Sequence, residues 1–300
     1  MRRTDRAALG LMRLRFAVLS KIAPQAAERA AANLFLTPRP ARRKPRASRQ
    51  TPREIVVLDD GVPIAGYSWG NGPAVLLVHG WSGQAMDMAP LAEQLADAGY
   101  RAVAFDMPAH GATPGNRSSL GEWVDVLPRL AEECGELHAI VGHSLGAGAV
   151  VLALEAGLQA NGAILFAPPL GPGYFIYRLR QFIGLPEERA AGMEQQLADT
   201  VGREMGYFDS ARAVSSLTMP ALIFHDPTDR EVPWEHAEAI NRNWRGSRLT
   251  EASGLGHVRM LRSPEHLKQA VAFVNELDQT AGNGRVDGWQ ASCQSLDWAY

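Results

Sequence analysis

Five short apolar runs recur between positions 74 and 224: Ala74–Val78, Ala102–Phe105, Leu137–Val141, Ala163–Phe166 and Ala221–Phe224. Each is too short for a helix and lacks polar alternation, the signature of strands buried on both faces of a parallel sheet. Helical patterns separate several of them, notably Met88–Ala98 and Leu120–Cys134. Strand and helix in alternation imply a mostly parallel, twisted sheet with helices on both faces. Ahead of the series, Ile55–Leu58 and Ile64–Trp69 joined through Asp59-Asp60-Gly61 read as a β-hairpin. Arg248–Ala252 reads as a last strand. Ser263–Leu277 reads as a closing helix, with Ser263 at the N-cap and Pro264 at the first helical position. Between Pro168 and Pro220 the rhythm breaks into a stretch rich in helix formers and aromatics, an insertion that forms a small helical cap at about 169–217.

Charge divides the chain. Residues 1–53 hold 14 Lys/Arg and 2 Asp/Glu, a balance of +12, while residues 54–300 carry a balance of −14. The basic arm 1–53 opens with Leu9, Met12, Phe16, Leu19 and Ala23 at helical spacing, and Pro24 starts a second helix through Phe35. Arg13, Arg15 and Lys21 interrupt any apolar run near the ~20 residues a membrane span requires. The ~7–15-residue apolar core of a secretory signal is also missing. The arm is read as docking on the body by its apolar stripe, with peripheral membrane contact as the alternative. The expected location is cytoplasmic, or peripheral to a membrane if the arm makes that contact. Pro38–Arg53 has four prolines and no acid, an extended linker. Without interleaved aromatics or a binding module, it gives no reason to expect nucleic acid as a partner. The body proper is 54–281, and 282–300 form a tail with Trp289 and Trp298 but no clear period. Cys134 and Cys293 form no CxxC pair, and no HExxH or Cys/His cluster is present, so neither a metal nor a disulfide framework is expected.

The chemistry concentrates at strand ends. Gly142-His143-Ser144-Leu145-Gly146 follows one apolar run and precedes the helix-forming Ala147–Ala156. A strand–serine–helix turn holds its serine exposed and strained between small neighbours, and makes Ser144 the candidate nucleophile. A hydroxyl needs a base. Of eight histidines, His257 stands where the chain returns to the carboxyl edge of the sheet, in Gly254-Leu255-Gly256-His257. His138, His236 and His266 read as surface residues, and His79 and His143 as parts of their turns. The loop after Ala221–Phe224 offers Asp226, Asp229 and Glu231 as the carboxylate that orients the base. Asp229 is preferred for its place in the order Ser, Asp, His, with Asp226 as a loop cap. The turn Val78-His79-Gly80-Trp81 would let the Trp81 and Leu145 amides form an oxyanion hole.

With these residues in place the chain resembles the α/β-hydrolase superfamily over roughly 54–277. The matching pieces, in family order, are LLVHGWSG (76–83), AFDMPAHGAT (104–113), VGHSLGAG (141–148), HDPTDREVP (225–233) and GLGH (254–257). Ala109 replaces a glycine usual in the second motif, a departure that bears on loop conformation. The resemblance implies the α/β-hydrolase fold and a cofactor-free serine enzyme with a cap over its site. A small carboxylic ester of an apolar acid is the expected substrate, its acyl length left open, with Tyr174, Phe175, Tyr177 and Phe182 of the cap forming the pocket. Thioester hydrolysis, acyl transfer by the same residues and a non-catalytic binding protein on this fold are the alternatives. A chain starting near Thr51 is expected to keep the geometry of the three residues.

Overall fold

The computed structural model describes residues 3–39 and 48–281; the centre of the linker and the tail with Trp289 and Trp298 lie outside the described residues. Two helices form the arm, α1 (Arg3–Ile22) and α2 (Pro24–Phe35), and Pro24 occupies the first turn of α2 as its fixed φ favours. The body begins with the hairpin β1 (Arg53–Asp59) and β2 (Val62–Trp69), followed by β3 (Ala74–Val78), α3 (Ala89–Asp97) and β4 (Arg101–Phe105). Next come α4 (Leu120–Cys134), β5 (Leu137–His143), α5 (Leu145–Glu155) and β6 (Ala163–Phe166). The insertion contributes α6 (Gly173–Ile183), α7 (Ala190–Val201) and the single turn α8 (Ser210–Ala213). The chain finishes through β7 (Ala221–His225), α9 (Trp234–Asn243), β8 (Ser247–Glu251), α10 (Gly256–Arg259) and α11 (Pro264–Ala281).

Among the described residues the strands form one eight-stranded sheet in the order β1-β2-β4-β3-β5-β6-β7-β8. β2 pairs antiparallel with β1 and β4, and all the other pairs are parallel. Side chains of α4, α5 and α9 pack on one face of the sheet, those of α3 and α11 on the other. Every residue of β3, β5, β6 and β7 is buried, which is why their sequences run apolar without alternation. The order reverses between β3 and β5, where β4 lies to one side and β6 to the other. At such a point the loops leaving the carboxyl ends diverge and open a crevice. Val78 and Gly142 pair across it, so the turn after β3 and the turn after β5 meet there.

The closing helix changes two readings of the histidines. His138 and His266 are buried, not on the surface. α11 covers the start of β5, where His138 stacks on Tyr100 and donates to the Val274 carbonyl at 3.0 Å, and His266 is part of α11 itself. The Ser263 hydroxyl meets the His266 ring at 2.7 Å.

The arm packs on the cap. Phe16, Ala27, Ala31 and Leu36 share a buried cluster with Ile176 and Ile183 of α6 and with Met193 and Leu197 of α7. Glu28, itself buried, faces Arg189 of the cap at 3.4 Å. After α2 the chain crosses the body: the Leu36 carbonyl accepts from the Ser118 N–H at 2.8 Å, and the Arg39 N–H reaches the Ser82 hydroxyl at 2.9 Å. Ser48 and Arg49 then fasten to Glu93 on α3. No helix among the described residues is long and apolar enough to cross a membrane.

Candidate active site

Ser144 occupies the turn between β5 and α5 with φ 53° and ψ −123°, a region that non-glycine residues seldom adopt. Three backbone bonds fix it there: its N–H donates to the Phe166 carbonyl at 2.8 Å, and its own carbonyl accepts from the N–H groups of Ala147 at 2.9 Å and Gly148 at 3.2 Å. The flanking glycines are required by crowding. A Cβ on Gly142 would meet the Ala147 backbone, and one on Gly146 the carbonyls of His79 and Val78. Gly80 serves the same end from the opposing turn, since a Cβ there would stand 2.9 Å from the His143 ring and 3.1 Å from the Ser144 side chain.

The structure brings Ser144, His257 and Asp229 into one chain of hydrogen bonds. His257 Nε2 lies 2.9 Å from the Ser144 hydroxyl, and His257 Nδ1 lies 2.8 Å from Asp229 Oδ2. A carboxylate only accepts, so Nδ1 carries the hydrogen and Nε2 presents its lone pair to the serine. The other oxygen of Asp229 accepts the N–H groups of Glu231 at 2.7 Å and Val232 at 3.2 Å. Burial alone would raise the Asp229 carboxyl. The His257 contact and these two N–H groups outweigh it and hold the carboxyl below the usual carboxylate range.

Asp226, three residues earlier, lies off this chain. It accepts from the Thr228 N–H at 2.7 Å, from the Thr228 hydroxyl at 2.8 Å and from the Gly256 N–H, so it pins the aspartate loop to the histidine loop. Burial pushes its carboxyl up, and the N–H of Gly256 with the donors of Thr228 more than offset that. Glu231 lines the neighbouring cavity without joining the chain of bonds.

Three other histidines are structural. His79 donates from Nδ1 to the Gly80 carbonyl at 2.7 Å and accepts from the Met107 N–H at 3.0 Å. His110 accepts from the Ser82 N–H at 2.9 Å. His143 donates to the His257 carbonyl at 2.9 Å, and so braces the histidine from beneath. Burial depresses His79 and His143 to about 3, with neighbouring histidines adding to the effect, and both are neutral. Ala109, in the loop that carries His110, adopts φ 61°, the left-handed conformation that explains why a glycine suits that position.

Trp81 and Leu145 border the same cavity as Ser144. Leu145 is the first residue of α5, where an N–H has no partner inside the helix. Among the described residues neither its N–H nor that of Trp81 meets an acceptor.

The cavity, about 860 Å³, is walled by three parts of the chain. The cap contributes Phe175, Leu179 and Phe182 of α6 with Leu197 and Val201 of α7. The arm contributes Met12 of α1 and 34–39 at and beyond the end of α2. Val258 and Leu261 border it beside the histidine. Of the four cap aromatics singled out in the sequence, Phe175 and Phe182 line the cavity while Tyr174 and Tyr177 do not. The helical period turns those two away: Tyr174 packs edge-on against His236, and Tyr177 is half exposed beneath the Arg180 guanidinium. Leu179, four residues after Phe175, and the arm residues carried no signal in the sequence beyond their helical spacing. The spacing shows that they share a face and leaves its destination open.

Comparison with known proteins agrees with this architecture. The alpha/beta hydrolase family matches residues 75–269. A pimeloyl-[acyl-carrier protein] methyl ester esterase of Shewanella sp. (strain MR-7) is 28% identical over 138 residues, 46% of this chain. The match spans 47%, about half, of that relative's own length. Among solved structures, a membrane phospholipase A superposes with a TM-score of 0.60 at 18% identity over 91% of this chain and 99% of that one. The esterase RhEst1 from Rhodococcus sp. ECU1013 superposes with a TM-score of 0.56 at 20% identity over 76% of this chain and 100% of that one. At such identities the structures speak to the fold, whereas the family match covers more than half of the sequence. The chain therefore belongs to the alpha/beta hydrolase family.

Proposed function

We propose that this protein is a serine hydrolase that cleaves a carboxylic ester of an apolar acid through an acyl-enzyme. The observation that carries the reading is the unbroken Ser144–His257–Asp229 hydrogen-bond chain opening onto a largely apolar cavity. Ser144 Oγ attacks the ester carbonyl while its proton passes to His257 Nε2. Asp229 holds the ring in the required tautomer and balances the imidazolium charge. The tetrahedral oxygen takes the N–H groups of Trp81 and Leu145, beside the N-terminus of α5, where negative charge is favoured. His257 then returns the proton to the departing alkoxide, leaving the acyl group on Ser144. Water enters, loses a proton to His257, and the same sequence releases the acid and regenerates the hydroxyl.

Turnover of p-nitrophenyl esters and acyl-thioesters of graded chain length, on wild type and Ser144→Ala, tests the proposal. Ser144→Ala is expected to lose on the order of 10³-fold or more in kcat on every substrate that wild type accepts. A Ser144→Ala protein that turned over at the wild-type rate would overturn the proposal. Faster cleavage of thioesters than of oxyesters would move the substrate class and leave the acyl-enzyme in place.

A further inference from the structure

We infer that the outer face of α1 docks the protein on an anionic lipid surface, from which the site draws its acyl ester; the second half of that statement rests on the hydrolase reading above. α1 carries two apolar stripes. Met12, Phe16 and Leu19 turn inward, where Phe16 is buried against the arm and cap. Leu11, Leu14, Val18 and Ile22 follow one another at intervals of three and four, so they share a second face. They are 70%, 60%, 48% and 75% exposed, and none of them belongs to the buried cluster that joins the arm to the cap. One stripe is enough to fasten a helix to its domain. The second calls for an aliphatic environment outside the fold.

Charge identifies that environment. Arg6, Arg15 and Lys21 on the same helix are exposed, and residues 39–49 hold six Lys/Arg and no acid. An aliphatic stripe with cations beside it matches hydrocarbon beneath a layer of anionic headgroups. A second copy of the chain would bring two strongly basic arms together. The acidic body is repelled by an anionic surface while the arm is drawn to it, which sets the orientation as well as the attraction.

Orientation connects the surface to the site. Met12, beside the outward Leu11, lines the cavity, and Arg13 Nε donates to the Phe182 carbonyl at 2.9 Å. Leu34 and Phe182 line the cavity too, yet are 39% and 41% exposed, so an apolar surface continues from α1 into the mouth. An acyl chain leaving the hydrocarbon layer can follow it without crossing water.

Full-length protein is sedimented with phosphatidylglycerol-containing vesicles and with pure phosphatidylcholine vesicles, alongside L14E/V18E and R15E/K21E. Wild type is expected to pellet with the anionic vesicles and to be released near 0.5 M salt, where the Debye length falls to about 4 Å. L14E/V18E is expected to weaken binding by about tenfold or more, because two buried aliphatic groups become charges. R15E/K21E is expected to bind more weakly and with a shallower salt dependence. Neither pair lines the cavity, so p-nitrophenyl acetate turnover should match wild type and show that the variants are folded. A long-chain ester dissolved in the anionic vesicles should be cleaved by wild type and poorly by L14E/V18E. Wild type that stays in the supernatant, or L14E/V18E that pellets equally well, overturns the inference. So does a wild-type dimer that fails to pellet and that L14E/V18E dissociates, since the face then serves a second copy. If wild type pellets but cleaves no ester, docking is supported and the hydrolase reading fails separately.

Discussion

Asp226 and Asp229 share one loop and both are ionised, yet their surroundings give them different work. Asp229 spends one oxygen on backbone N–H groups and keeps the other for His257. Asp226 is occupied on both oxygens by Thr228 and Gly256. Asp229→Asn puts an amide where the imidazole needs an acceptor, and the expected loss in kcat is on the order of 10³- to 10⁴-fold with the fold intact. Asp226→Asn leaves one N–H facing another. It should lower unfolding free energy by about 1–3 kcal/mol while kcat stays near wild type. Denaturant titration and steady-state kinetics on the two variants separate these outcomes. A folded Asp226→Asn protein without turnover would transfer the orienting role to Asp226. The sequence offered both carboxylates, and their order in the chain favoured Asp229. The bond from Asp226 to Gly256, 30 residues away, could not be read there, because it depends on two loops converging.

At the scale of elements, α6 shows how far a helical period can be trusted. Its spacing correctly groups Phe175, Leu179 and Phe182 on one side and Tyr174 and Tyr177 elsewhere, but the aromatic content alone drew attention to all four. Residue type marks what can pack; only the docking of the helix decides what it packs against. Phe175→Ala and Leu179→Ala should therefore flatten the rise of kcat/KM with acyl length, each lost methylene contact being worth ~0.8 kcal/mol or about fourfold. Tyr177→Ala should leave the slope unchanged. Hydrolysis rates across the ester series measure it, and equal losses on every ester would make the helix a support with no part in selectivity.

For the whole molecule, the strands, their mostly parallel arrangement and the hairpin were legible because burial on both faces writes itself as uninterrupted apolar runs. The resting place of the arm was not, since one amphipathic stripe fits many apolar surfaces. The buried histidines add a property of the entire fold. His79 and His143 titrate near 3 in the folded protein against an ordinary 6.5. Below about pH 6.5 the unfolded chain binds protons that the folded state refuses, so stability is full above that pH and declines toward 3. Between about pH 7 and about pH 5 the two groups together remove about 3–4 kcal/mol. Thermal melts across that range should show Tm falling with acidity, and His143→Asn should make the decline shallower. A flat profile would mean that water reaches these rings. The arm has a history as well as a position. Glu28 meets Arg189 across 161 positions of sequence and Arg13 meets Phe182 across 169. At a synthesis rate of about 10 residues per second, the arm leaves the ribosome roughly fifteen seconds before the cap that receives it. During that interval both of its stripes are uncovered, and the wall that the arm gives the cavity is in place only once the cap has arrived to receive it.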